Sequence, residues 1–320
     1  MGALSRPVPP VFPAPGVSVV IPTRDRRELA AEAVASVLAQ TWAELELVVV
    51  DDGSADGTAE HLAAAFSDPR LRVVRQENRG VSAARNRGVA ETSGPWIAFL
   101  DSDDLWLPEK LERQLAAVAE PPGWSACHTE EVWYRRGRWA NPRKVHAKHG
   151  GWIFPHCLPL CTISPSSVLL RRDLFASLGG FDESLPACED YDLWLRLAAA
   201  HPVLLLAEKL TVKRNGHPGQ LSQEHWGLDR FRVRALWKVA LDPGVKTEYR
   251  RLALEELGRK AEVVALGAEK RGEITRAAVF RHSRQEAERC LEELEACEQI
   301  VASRPECKAR ARERRDISSR

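Results

Sequence analysis

A chain of 320 residues has room for one sizeable α/β domain and an appendage. Its 46 basic and 45 acidic residues leave a formal net charge of +1, so no global basic field points to a nucleic-acid partner. No apolar stretch reaches the ~18 residues of a membrane span and the start does not read as a signal peptide, so a cytoplasmic location is expected, with any contact at the inner face of a membrane peripheral.

Residues 1–16 carry five prolines and read as a disordered leader. Val17-Ser18-Val19-Val20-Ile21 reads as a strand that stops at Pro22-Thr23-Arg24-Asp25, and Leu29, Ala33, Val34, Val37 and Leu38 then recur at helical spacing. A second strand, Leu45-Glu46-Leu47-Val48-Val49-Val50, stops at Asp51-Asp52-Gly53-Ser54. A helix over 58–66, a strand over 71–74 and a helix over 82–91 follow, and Gly94-Pro95 turns the chain into Ile97-Ala98-Phe99-Leu100. β-branched runs that stop at polar turns before helices predict parallel strands with crossover helices, whose ligands sit beyond the carboxyl ends. The three turns are therefore expected to face one crevice.

Pro108 opens a helix over 109–119, and strands with a turn at Arg136-Gly137 follow within 124–139. The region through Cys161 is irregular; a strand over 166–171, a helix over 188–200 and a strand over 203–206 come next. Beyond His217 the chain turns helical over 228–239, 247–267 and 274–301. Five basic residues within 308–315 read as a solvated end, with a weak contact to anionic lipid as the alternative. The seven cysteines include no Cys-x-x-Cys pair and read as reduced thiols, and His149, His156, Cys157 and Cys161 match no zinc finger or ribbon.

The strand ending at Leu100 runs into Asp101-Ser102-Asp103-Asp104, three carboxylates in four positions. Such hard oxygen ligands suit Mg²⁺ or Mn²⁺, whose open positions substrate phosphates can fill. Six segments together resemble the inverting glycosyltransferases of family 2: Val19-Val20-Ile21-Pro22-Thr23-Arg24-Asp25, Val49-Val50-Asp51-Asp52-Gly53-Ser54, Ala84-Arg85-Asn86-Arg87-Gly88, Phe99-Leu100-Asp101-Ser102-Asp103-Asp104, Gly179-Gly180-Phe181-Asp182-Glu183 and Glu189-Asp190-Tyr191-Asp192-Leu193-Trp194. The resemblance implies an α/β class GT-A fold, a Rossmann-like mixed sheet flanked by helices, over 17–220. Residues 17–104 would form the nucleotide-binding half, 105–220 the acceptor and catalytic half, and 221–320 a helical C-terminal extension.

It also implies roles. Asp52 would accept from N3–H of uracil or thymine, with Pro22 and Thr23 shaping the pocket; an Asx turn with Gly53 is the alternative. Arg79, Arg85 and Asn86 precede or open a helix and would favour diphosphate oxygens. Asp103 would take the ribose and metal position, with Asp101 and Asp104 as neighbours and Mg²⁺ or Mn²⁺ as cofactor. Asp190 would be the catalytic base, with Glu189 a like-charged neighbour. His217 loosely matches a loop histidine near the diphosphate and metal, and Phe181 and Trp194 suit either the core or sugar stacking.

The implied activity is metal-dependent transfer of a hexosyl unit from a nucleotide sugar, with UDP preferred, to a hydroxyl of a saccharide or lipid-linked acceptor in surface polysaccharide synthesis. The C-terminal helices would cover the acceptor site, self-associate or bind a partner. The alternative function is a non-catalytic nucleotide-sugar-binding or scaffold protein of the same fold. A haloacid-dehalogenase-like phosphatase is disfavoured because Leu105 stands where that family has Thr or Val, and no P-loop is present.

Overall fold

The computed structural model of the protein describes residues 16–121, 123–141, 143–216, 220 and 224–303. Strands β1 (Val17–Thr23) and β2 (Leu45–Asp52) are apolar on both faces and almost wholly buried, as central parallel strands must be. β1 pairs in parallel with β2 and with β4 (Trp96–Phe99), and β2 with β3 (Leu71–Gln76). Helices α1 (Arg27–Leu38), α2 (Thr58–Ala65) and α3 (Val81–Ala90) make the crossovers. Gly88 lets α3 close onto β1, since a Cβ there would lie 2.3 Å from Val20 Cγ1.

The second half supplies β5 (Leu105–Trp106), α4 (Lys110–Ala119), β6 (Ala126–Arg135), β7 (Arg138–Ala140), α5 (Phe154–Cys157), β8 (Val168–Arg171), α6 (Arg172–Ser177), α7 (Glu189–Ala200) and β9 (Leu204–Asn215). Strand β8 runs antiparallel to both β4 and β6, β6 runs parallel to β9, and β5 closes the far edge against β9. The sheet order is therefore β3-β2-β1-β4-β8-β6-β9-β5, with β7 hairpinned onto β6. This is the mixed α/β sheet that was expected.

Three differences have local causes. The strand expected over 203–206 continues to Asn215, because its later residues alternate polar and apolar instead of forming an unbroken apolar run. β5, two residues long, and α6, six residues long, are too short to carry a periodic signal. Helices α8 (Asp229–Leu241), α9 (Thr247–Lys270) and α10 (Ile274–Ser303) share a continuous apolar core with the second half of the sheet domain: Leu193, Leu195 and Leu197 of α7 cluster with Val233, Leu236, Leu254 and Leu257. Phe181 and Trp194, 2% and 1% exposed, are core residues. The proline-rich leader before Gly16 and the basic tail lie outside the described residues. Among those described, no helix is long and apolar enough to cross a membrane.

Candidate active site

The carboxyl ends of β1, β2, β4 and β9 and the start of α7 open onto one cleft of about 730 Å³. Of the residues singled out from sequence, Pro22, Thr23, Asp52, Arg85, Asp101, Asp103, Asp104, Glu189 and Asp190 line it. Arg79 and Asn86 are not part of that lining, and His217 lies outside the described residues.

The turns after β1 and β2 are latched together. Asp25, at φ +50°, accepts at Oδ1 from Ala55 N–H at 2.7 Å, and its own N–H donates to Ser54 Oγ at 2.9 Å. Asp51 Oδ1 accepts Ser54 N–H at 2.8 Å, so the Asx-type turn considered for Asp52 is made by its neighbour. Gly53 must be glycine: its φ is +79° and a Cβ would lie 3.0 Å from Asn78 N. Asp52 is left to reach across to the loop before α3, accepting from Gln76 Nε2 and Arg79 N–H at 2.8 Å and from Gly80 N–H at 2.9 Å. Thr23 is 3% exposed, and its Oγ1 has no hydrogen-bond partner among the described residues. An orphaned buried hydroxyl is unfavourable and would be satisfied by a polar ligand.

Beyond β4, one oxygen from each of Asp101, Asp103 and Asp104 lies within 4.8 Å of the others. The three differ in what holds them. Asp101 faces Arg85 Nη2 at 2.7 Å and Lys213 Nζ at 3.8 Å; burial works to raise its pKa, but those two cations outweigh it and hold the carboxyl low. Asp103 pairs with Arg26 at 3.1 Å. Asp104 accepts Ser166 Oγ–H at 2.6 Å and Arg214 N–H at 3.0 Å. Burial, with the charges of Asp103 and Asp101, pushes Asp104 up to about 7 despite Lys213 at 3.3 Å. Burial opposes the Lys213 charge, yet Asp104, Asp101 and Glu131 hold that amine well above the usual lysine range. Three hard oxygen donors with no softer ligand fit a Mg²⁺- or Mn²⁺-type ion.

Arg85 joins this cluster to α7. It is 3% exposed, sends Nη1 to Glu189 Oε1 at 2.6 Å and Nη2 to Asp101, and sits 5.0 Å over the Phe181 ring. It is an ionic post between the β4 end and the start of α7. Its own burial is outweighed by Asp101 and Glu189, which keep the guanidinium charged. Cys188 precedes α7 at φ +62°, a left-handed conformation that a residue with a Cβ adopts only under constraint. Glu189 is pushed up to about 7 by burial and by the charge of Asp190, with Arg85 pulling the other way. Asp190 is half-buried on the cleft wall, one oxygen accepting Tyr191 N–H at 2.7 Å.

Two of the residues expected at the diphosphate have other partners in the structure. Asn86 donates from Nδ2 to Phe181 O at 2.9 Å and accepts Phe181 N–H at Oδ1 at 3.0 Å, so it pins the 179–183 turn that leads toward Asp190. Arg79 turns its guanidinium outward to Glu183 at 3.0 Å, while its backbone serves Asp52. Proximity to a helix start did not specify which way either side chain points. Missed from sequence were Arg26, Lys213, Arg214 and, from α8, Arg232, all on the cleft wall. The alternating continuation of β9 was the available signal for Lys213.

The family profile described as Glycosyl transferase family 2 matches residues 18–176, and a second, Glycosyltransferase like family 2, matches 153–236. An uncharacterized glycosyltransferase of Rickettsia felis is 34% identical over 203 residues, 62% of this chain and 33% of that protein, so the chain spans about a third of that relative's length. The UDP-Glc:alpha-D-GlcNAc-diphosphoundecaprenol beta-1,3-glucosyltransferase WfgD of Escherichia coli is 32% identical, covering 57% of this chain and 69% of that one. The fold is shared with S. aureus TarS 1-349 in complex with UDP-GlcNAc, at a TM-score of 0.61 and 17% identity over 84% of this chain and 91% of that chain. It is also shared with mannosyltransferase PcManGT of Pyrobaculum calidifontis in complex with GDP-Man and Mn²⁺, at 0.59 and 19% identity over 92% and 83%. The chain belongs to glycosyl transferase family 2.

Proposed function

We propose that the chain is a metal-dependent, inverting glycosyltransferase that moves a hexosyl unit from a UDP-sugar to a hydroxyl of a saccharide or lipid-linked saccharide, in surface polysaccharide synthesis. The observation that carries this reading is the convergence of Asp52 from the end of β2, Asp101 and Asp103 from the turn after β4, and Asp190 from the start of α7 on one cleft. The UDP preference draws support from the donors named for WfgD and TarS, and the cation from the Mn²⁺ named for PcManGT.

An ionised carboxylate has about four acceptor positions. Asp52 has three filled by Gln76, Arg79 and Gly80, which fix its orientation and leave room for one more donor, the N3–H of a uracil. The Thr23 hydroxyl would gain its missing partner from the bound nucleotide. Arg26, Lys213 and Arg214 supply positive charge beside the acid trio, where a diphosphate would lie. A divalent ion held in the trio of Asp101, Asp103 and Asp104 would act as a Lewis acid on the departing diphosphate. Asp190 has one oxygen tied to the helix backbone, and its other oxygen takes the proton from the acceptor hydroxyl as that oxygen attacks the anomeric carbon. The bond from that carbon to the diphosphate breaks on the opposite face, which inverts the configuration.

The test is release of nucleoside diphosphate from a panel of nucleotide sugars, read by mass spectrometry with saccharide and lipid-linked acceptors. Asp190→Asn is expected to lower turnover by roughly 10²–10⁴-fold while leaving donor binding intact. Binding of UDP without consumption of any donor would instead favour a non-catalytic binding protein.

A further inference from the structure

The near-neutral total charge conceals a strongly uneven distribution. Residues 132–172 contain no Asp or Glu but eight Arg and Lys. Five of these, Arg135, Arg136, Arg138, Arg143 and Lys144, are exposed on the β6–β7 hairpin and the turn after it, and none forms an ion pair among the described residues. The same hairpin presents Trp139 and Tyr134, paired across its strands on the face opposite the paired Arg135 and Arg138, and the turn after it presents Val145; these three are 63%, 37% and 50% exposed. The turn is held against the hairpin by the rings of Trp133 and His146, 5.2 Å apart, so the basic and apolar side chains belong to one ordered feature.

Its position is fixed relative to the cleft. β6 and β9 run parallel with Tyr134 opposite Arg214 and Arg135 opposite Asn215, and Arg136 N–H donates to Asn215 O at 2.9 Å. Arg214 and Asn215 line the cleft, so the hairpin projects from the cleft's own rim.

We infer that this hairpin docks onto an anionic phospholipid bilayer and sets the cleft mouth at the membrane surface. Unpaired arginines gain near negatively charged headgroups, and an exposed indole, phenol and valine gain by entering the interfacial layer. Trp139, Tyr134 and Val145 beside the cations suit a surface that is apolar as well as anionic, which is what a bilayer interface presents. The inference goes beyond glycosyl transfer and does not depend on it, because vesicle binding is read without donor or turnover.

The experiment is flotation of the full chain with phosphatidylcholine vesicles, with and without phosphatidylglycerol. Binding is expected only with phosphatidylglycerol, and it should weaken as salt shortens the screening length. The combined variant Arg135→Ser, Arg136→Ser and Arg138→Ser should lower partitioning roughly a hundredfold, at about fivefold per cation. Trp139→Ser removes a mostly exposed side chain without threatening the fold and should lower it several-fold; if the triple variant fails to fold, this variant alone carries the test. Replacing Lys308, Arg310, Arg312, Arg314 and Arg315 with serine should leave binding unchanged. The inference is overturned if the parent ignores phosphatidylglycerol, if Trp139→Ser binds as well as the parent, or if the tail variant is the one that lets go.

Discussion

Replacing Arg85 with methionine removes the post that joins the end of β4 to the start of α7. Arg85 is 3% exposed and reaches Glu189 at 2.6 Å and Asp101 at 2.7 Å, so methionine fills much of the volume but strands the Glu189 carboxylate and leaves Asp101 with Lys213 alone, at 3.8 Å. Deleting one partner of a buried ion pair typically costs about 3–5 kcal/mol, whereas an exposed pair is worth about 0–1 kcal/mol. The Glu189 side chain is as buried as the arginine, so the larger range applies to that arm; Asp101 is partly open and water relieves some of its loss. We therefore expect a loss of about 4 kcal/mol, read in urea as a lower midpoint at unchanged slope. Arg85→Met combined with Glu189→Gln should recover at least ~1 kcal/mol relative to additivity, because the second change removes the stranded charge. Arg85→Lys should fall between, since one ammonium cannot span both carboxylates as the planar fork does. A loss for Arg85→Met below about 1 kcal/mol would refute the reasoning, because the bridge would then be no stronger than a solvated pair.

Gly88→Ala drives a methyl to within 2.3 Å of Val20 and should cost about 1–3 kcal/mol by urea unfolding, despite alanine's better helix propensity. Thr23→Val removes an unpartnered buried hydroxyl, so stability should hold or rise by up to ~1 kcal/mol while UDP affinity, measured by calorimetry, falls. His128 is buried with Nε2 donating to His149 O at 2.9 Å; burial and Lys148 push it down to about 3, against the weaker pull of Glu131. The unfolded chain takes up this proton below about 6.5, so stability is flat above that pH and lost below it, by about 2 kcal/mol at pH 5. A His128→Asn variant should flatten that part of the pH–stability curve.

The parallel half of the sheet was legible because Val17-Ser18-Val19-Val20-Ile21 and its counterparts are nearly unbroken apolar runs ended by polar turns, a pattern few other structures satisfy. The same turns carried Asp52, Asp101 and Asp103 to one cleft, as expected, since parallel strands share their carboxyl ends. Side-chain direction was less legible. Arg79 precedes α3 while Arg85 and Asn86 sit in its middle, and one bridges two acids, one pins a distant turn and one points outward; long-range partners at Glu189, Phe181 and Glu183 decide this, and sequence spacing does not reveal them. Lys213 escaped notice because a charged residue in a half-polar strand resembles a loop until its partner β6 is known. The C-terminal helices were legible from their periodicity, but not their shared core with α7, because an apolar stripe does not name the surface it covers.

The central claim is spatial: nucleotide, cation and acceptor chemistry meet where Asp52, the Asp101–Asp103 pair and Asp190 converge. A crystal structure of the chain with UDP and Mn²⁺, with anomalous data at the manganese edge, tests it most directly. We expect one manganese peak in coordination contact with Asp103, uracil N3 within hydrogen-bond distance of Asp52, and the β-phosphate on the side facing Asp190. A manganese peak away from the acid trio, or a uracil seated away from Asp52, would contradict the account.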